Sequence, residues 1–209
     1  MLKEFDDELR IKYGNHLVAT DECGRGCWAG PLVAAAVCLN PDFHLDGLTD
    51  SKKLSENKRI EYDKLIRENS LAYSIQEISP SEIDKNGLTW ANIQAMERAC
   101  NQVVEKLGSV SVYVIDQSPC NSLNPCVMMP KADSISMSVA AASVLAKVYR
   151  DGLMYALSDQ YPDYCYSQNK GYIDKEHVRV VNTLGIVKGL YRESYNVTGY
   201  NKPSQLKLI

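Results

Sequence analysis

Leu17-Val18-Ala19-Thr20-Asp21-Glu22-Cys23-Gly24-Arg25-Gly26 is an apolar run that ends in two adjacent carboxylates, with an arginine between two glycines just beyond. The apolar half suits a buried strand, and the carboxylates arrive where that strand must surface. Gly24 and Gly26 carry no Cβ, so the chain can turn tightly there and approach a ligand with bare backbone. The next run, Pro31-Leu32-Val33-Ala34-Ala35-Ala36-Val37-Cys38-Leu39, predicts a second strand covered on both faces. Residues 15–22 and 31–39 thus read as an antiparallel hairpin.

Farther along, Ser55 reads as the N-cap of a helix over 56–69, and residues 71–78 alternate as a third strand. A short helical piece ends at Gly87, and a long helix follows over 89–107, stopped by Gly108. Val110-Ser111-Val112-Tyr113-Val114-Ile115-Asp116 is a strand that again ends in an acid, and Val127-Met128-Met129 a shorter one. Asp133 precedes a helix whose segment Val139–Ala146 has no polar face apart from Ser143, which predicts a buried central helix running to about 158. The tail adds Gly171-Tyr172, a helix over 174–184 and a polar end whose residues 202–209 read as loosely held.

At 209 residues, 45% apolar and 23% charged, the composition is that of an ordinary globular domain with a sizeable core. No apolar run is long enough to span a bilayer, and Met1–Glu8 is acidic, so the expected location is the cytoplasm. The seven cysteines are odd in number and lack C-x-x-C spacing, which favours reduced thiols over disulfides or zinc. A net charge of −3 looks wrong for a nucleic-acid binder, but it is unevenly spread. Residues 147–209 hold nine Lys/Arg against six Asp/Glu, leaving the excess of acid in the remainder. An acidic centre with a mildly basic tail suits a metal-dependent enzyme acting on a polyanion.

Asp21/Glu22, Asp116 and Asp133 all lie at the ends of apolar elements and can converge on one edge of a sheet. Oxygen ligands without neighbouring His or Cys select Mg²⁺ or Mn²⁺, and a pair of such ions supports in-line phosphoryl displacement. Each acid also has a plainer reading. Asp133 is placed to cap the helix after it, and Asp116 to open a turn. Asp21 and Glu22, being neighbours, point to opposite faces of a regular strand unless it twists or bulges. Lys52, Lys53, Lys147 and Arg150 are candidate phosphate contacts or simply charged helix faces, and His177 reads as structural.

Taken together, several stretches resemble the type 2 ribonucleases H. They are Asp21-Glu22-Cys23-Gly24-Arg25-Gly26 with Ala29–Val37, Asp50-Ser51-Lys52-Lys53-Leu54, Asp116, Lys131-Ala132-Asp133 with Ser138–Asp151, and Gly171-Tyr172 with His177. The pattern is closest to the bacterial ribonucleases HII. Cys23, Ile173-Asp174, Tyr191 and Tyr195 depart from it: Tyr191 takes a customary histidine position and Tyr195 a phenylalanine one.

The resemblance implies an α/β, ribonuclease H-like fold: a mixed five-stranded sheet flanked by helices, with a small helical C-terminal extension. It implies a catalytic domain over 1–160 and a substrate-binding extension over 161–209. The implied activity is a metal-dependent endonuclease that cuts the RNA strand of RNA–DNA hybrids. It also nicks 5′ of single ribonucleotides in DNA, as ribonucleotide repair and primer removal require, and leaves 3′-hydroxyl and 5′-phosphate ends. Asp21, Glu22, Asp116 and Asp133 become the catalytic acids holding two Mn²⁺ or Mg²⁺ ions. Gly24, Arg25, Gly26 and Tyr172 become the residues that read the RNA–DNA junction, with Lys52, Lys53 and Lys147 as further substrate contacts. Expected partners are hybrid duplex and ribonucleotide-containing DNA, with no membrane, a monomeric state, and a sliding-clamp contact through the C-terminal tail. Rival readings are a DNA endonuclease on the same fold, a non-catalytic hybrid-binding module, and a small-molecule phosphatase.

Overall fold

The structure, a computed structural model, describes residues 2–116, 120 and 122–201. Five strands form one sheet in the order β3-β2-β1-β4-β5: β1 (Leu17–Cys23), β2 (Leu32–Leu39), β3 (Ser70–Ile78), β4 (Val112–Asp116) and β5 (Cys126–Met129). β1 pairs antiparallel with β2, and β2 with β3, whereas β1–β4 and β4–β5 are parallel. This is the mixed five-stranded sheet that the resemblance implied. β2 is buried at every residue, as its unbroken apolar run requires.

Alternation along the strands divides the core between two helical layers. Val18, Ala34, Ala36, Tyr113 and Ile115 face α4 (Leu88–Leu107) through Ala95, Met96, Ala99 and Val103. On the other face, Val33, Ala35 and Val37 meet α2 (Glu56–Glu68) and α5 (Met137–Gln160), and Leu17, Ala19, Val112 and Val114 meet Val139 of α5. Residues Val139–Ala142 of α5 are fully buried, which explains a helix segment without a polar side. α3 (Pro80–Asn86) is the short piece before Gly87, closed by a capping box between Ser79 and Glu82.

α1 (Leu2–Tyr13) was not foreseen from the acidic N-terminus. It packs Phe5, Leu9 and Tyr13 against the β1–β4 face and sends Asp6 into the N-terminus of α5. Ser136, not Asp133, caps α5, accepting from the Val139 N–H at 3.2 Å. Asp133 lies on a 3₁₀ turn, Ala132–Ser134, just upstream. After α5 come α6 (Tyr166–Asn169) and α7 (Lys175–Leu184). Their apolar residues gather with Trp28, Ala29 and Met154 in a fourth cluster containing Tyr164, Tyr166, Val181 and Tyr191. All seven cysteines are free thiols. No helix among the described residues is long and apolar enough to cross a membrane. The tail end, residues 202–209, lies outside the described residues.

Candidate active site

β1 and β4 run side by side, with Thr20 opposite Ile115, so the next residue on each strand is Asp21 and Asp116. β4 pairs Asp116 with Met129 of β5, and the chain then turns through Lys131 into the 3₁₀ turn that carries Asp133. The Lys131 N–H donates to Asp116 Oδ1 at 2.9 Å, which ties that turn to the strand end. Parallel pairing therefore delivers three separate acids to one edge of the sheet. The strand is regular through Asp21 and Glu22, opposite Ala35 and Ala34, so the two side chains leave on opposite faces.

Even so, the four acids share one electrostatic environment. Burial, then Glu22 and Asp133, push Asp21 well above the ordinary carboxylate range, against the pull of the Ser143 hydroxyl. Burial also raises Glu22, with Arg25 opposing and Asp116 adding to the rise. Asp133 is raised by burial, then Asp50 and Asp116, with Lys52 opposing. Among the described residues, no three acid, histidine or cysteine side chains close into a ready-made metal cage. The donor set nevertheless suits hard divalent cations: oxygen atoms only, partly desolvated, with Glu22, Asp116 and Asp133 each raising a neighbour's cost of ionisation.

Beside the acids opens a cleft of about 630 Å³, lined by Glu22, Cys23, Gly24, Arg25, Gly26, Ser51, Lys52, Arg59, Ser143, Lys147 and Tyr172. Every residue expected to contact substrate lines it except Lys53, which is exposed outside it. Lys52 is held on a 3₁₀ turn, its own N–H donating to Asp50 Oδ1 at 3.0 Å, and Arg59 donates to the carbonyls of Ser51 and of Leu54 just after the turn. Lys147 pairs with Asp151 at 2.8 Å, so it reaches the cleft as a partly neutralised group.

Two fully buried arginines shape the loop after β1. From α5, Arg150 donates to the carbonyls of Ala29, Pro31 and Lys170 at 2.8–3.0 Å. From the tail, Arg192 donates to the carbonyls of Gly24, Arg25 and Gly30 at 2.8–3.1 Å. Tyr195 adds its hydroxyl to the Arg25 carbonyl at 2.8 Å. With these carbonyls turned inward, the Arg25 and Gly26 N–H groups make no backbone bond among the described residues.

Tyr172 stands across the cleft, 40% exposed, and the Arg150 guanidinium lies 5.9 Å from the centre of its ring. Its loop is pinned to the first by Gly171, whose carbonyl accepts from the Trp28 and Ala29 N–H groups at 2.8 and 3.1 Å. No sequence pattern marks Arg59 or Arg192 as part of this site, and Arg150, a phosphate contact or a charged helix face by sequence, is instead fully buried. A buried arginine serving backbone carbonyls leaves no pattern in the sequence. Ser143, the lone polar residue of an apolar helix segment, was the legible signal.

The family model for ribonuclease HII matches residues 18–197. A ribonuclease HII of Oceanobacillus iheyensis is 44% identical over 180 residues, covering 83% of this chain and 66% of that protein. The solved PCNA:RNase HII complex of Archaeoglobus fulgidus contains a similar chain: TM-score 0.67, 26% identity, 84% of this chain and 91% of that one covered. The ribonuclease H2 of Pyrococcus horikoshii OT3 shares the fold, with TM-score 0.70 at 20% identity over 86% of this chain and 93% of its own. The chain therefore belongs to the ribonuclease HII family and is an enzyme of the nuclease class.

Proposed function

We propose that this protein hydrolyses the RNA strand of RNA–DNA hybrids and nicks duplex DNA 5′ of a single ribonucleotide, leaving 3′-hydroxyl and 5′-phosphate ends. The observation that carries the reading is the arrival of Asp21, Asp116 and Asp133 at one end of the sheet, next to a cleft lined by Glu22 and the bare-backbone Gly24–Gly26 loop. Asp21, Glu22, Asp116 and Asp133 would hold the divalent ions, Mg²⁺ or Mn²⁺. When bound, a pair of such ions supplies an activated water and charge stabilisation for the departing 3′-oxygen.

The chain's own residues choose the bond. The 2′-hydroxyl is what distinguishes RNA from DNA, and the Arg25 and Gly26 N–H groups, without a backbone partner among the described residues, can donate to it where no side chain intervenes. The exposed face of Tyr172 can stack on the adjoining deoxyribose, where a further 2′-hydroxyl would clash. Lys52, Lys147 and Arg25 supply positive charge for the phosphates on either side. Lys53 adds to the surface charge outside the cleft.

Residues 1–160 would then carry the catalytic part and 161–209 the substrate-facing extension, in a cytoplasmic monomer serving ribonucleotide repair and primer removal. The Archaeoglobus relative is known in complex with PCNA, which motivates a sliding-clamp contact through the tail at residues 202–209.

Three duplexes test the activity: one with a single ribonucleotide, one a long hybrid and one all DNA, each with Mn²⁺ or Mg²⁺. Cleavage 5′ of the ribonucleotide and within the hybrid, with the all-DNA duplex left intact, is the expected result. Absence of a nick at the ribonucleotide in either metal overturns the single-ribonucleotide reading. Asp116→Asn should abolish cleavage while hybrid binding persists.

A further inference from the structure

Behind Tyr172 lies a line of hydrogen bonds that the chemistry above does not use. The residue sits on a turn in which Lys170 and Gly171 both have positive φ, 49° and 77°. Its N–H donates to the Asn169 carbonyl at 2.8 Å, which fixes the incoming side of the turn. On the outgoing side its carbonyl lies 2.8 Å from His177 Nδ1. His177 is fully buried in the first turn of α7, where its own N–H donates to the Asp174 cap at 2.7 Å. The other ring nitrogen, Nε2, is 2.8 Å from the Tyr191 hydroxyl, which in turn is 3.0 Å from the Tyr166 hydroxyl.

One arrangement of protons satisfies the whole line. A carbonyl only accepts, so Nδ1 carries the hydrogen and Nε2 must accept. Tyr191 therefore donates to Nε2, and Tyr166 donates to Tyr191. The imidazole is also held by rings on three sides: Trp28 at 5.4 Å, Tyr191 at 5.6 Å and Tyr166 at 5.9 Å between centroids. Burial lowers its pKa, in keeping with a neutral ring. Among the described residues no other side chain of the cluster hydrogen-bonds the Tyr172 backbone, so the imidazole is the link between the buried tyrosines and the exposed one.

We infer that His177, oriented by Tyr191 and Tyr166, is a positioning residue that sets the pose of Tyr172 against the nucleic acid. The inference rests on the reading of Tyr172 as a substrate contact. It assigns no role in the chemical step, so its loss should weaken substrate recognition and leave turnover nearly intact.

Two substitutions separate positioning from packing in the full-length protein. In His177→Asn the amide Nδ2 can take the place of ring Nδ1 and still donate to the Tyr172 carbonyl. In His177→Gln the longer amide reaches toward Tyr191 and abandons that carbonyl. With a single-ribonucleotide duplex and Mn²⁺, His177→Gln should raise KM roughly five- to tenfold with kcat within about twofold. His177→Asn should bring KM back to within about twofold of the parent. A merely structural histidine would give both variants the same KM, and that result overturns the inference. Should neither variant fold, Tyr191→Phe keeps the ring and removes the hydroxyl; an unchanged KM there overturns it as well. Tyr172→Ala is the control: if it leaves KM unchanged, the positioning role falls with the Tyr172 contact, while cleavage by the parent still upholds the nuclease reading.

Discussion

Gly24 shows how closely one residue can be constrained from two sides. Its φ is +89°, and a Cβ there would lie 2.1 Å from Arg150 Nε and 2.6 Å from Arg150 Cδ. Arg150 cannot retreat without releasing the carbonyls of Ala29, Pro31 and Lys170. Gly24→Ala should therefore lower the melting temperature and reduce kcat/KM by more than about tenfold, since strain at such a position costs roughly 1–3 kcal/mol. Gly26→Ala is the contrast, because nothing lies within 4 Å of its would-be Cβ. That variant should melt close to the parent in the same calorimetric scan. From the sequence, both glycines looked alike: positions where a ligand meets bare backbone. The structure divides them, because what excludes a side chain at Gly24 is an arginine supplied 126 positions later, beyond any local pattern.

Elements that carry one strong period were readable, and those that mix signals were not. β1, β2, α4 and α5 fall within a few residues of their expected bounds because each is uniformly apolar or cleanly periodic. α1 was hidden by its acids, although Leu2, Phe5, Leu9 and Tyr13 recur at helical spacing. It also lies ahead of the family match, which begins at residue 18. Its anchor is Asp6, which accepts from the Ser136 and Ser138 hydroxyls and the Ser138 N–H at 2.6–2.8 Å, wholly buried.

Asp6→Ala strands those donors and should cost about 2 kcal/mol in chemical denaturation. Asp6→Asn keeps an acceptor and should cost less. Burial raises the Asp6 pKa above 3.8 in the folded protein, despite the two serines. The stability linked to its proton is thus fully present below 3.8 and is lost as pH rises through the folded value. The deficit of the Asn variant should therefore be largest in acid and shrink toward neutrality; a deficit that grows with pH would contradict the sign.

Across the whole molecule, the site depends on elements that were legible and on joints that were not. Three strand or turn ends carrying acids could be predicted to converge, and parallel pairing of β1 with β4 accounts for their meeting. How the tail would touch that site could not be read, because Arg192 and Tyr195 act on carbonyls rather than on a complementary side chain. These bonds, and the cluster around Trp28, join the tail to the loop after β1 and to Met154 of α5. Unfolding should accordingly be a single transition, with tryptophan fluorescence and far-ultraviolet dichroism tracing coincident curves. Arg192→Ala leaves the Gly30 carbonyl without a donor and takes one donor each from Gly24 and Arg25, and it should cost about 2 kcal/mol. A second, earlier transition in the parent, confined to the tail, would refute this coupling.

The clasp also has a consequence for biosynthesis. Arg192 closes on carbonyls 167 and 168 residues behind it, so the loop at Gly24–Gly26 reaches its final shape only after residue 192 has left the ribosome. A product ending between Asp133 and Arg192 would possess all four acids yet lack the shaped reader beside them.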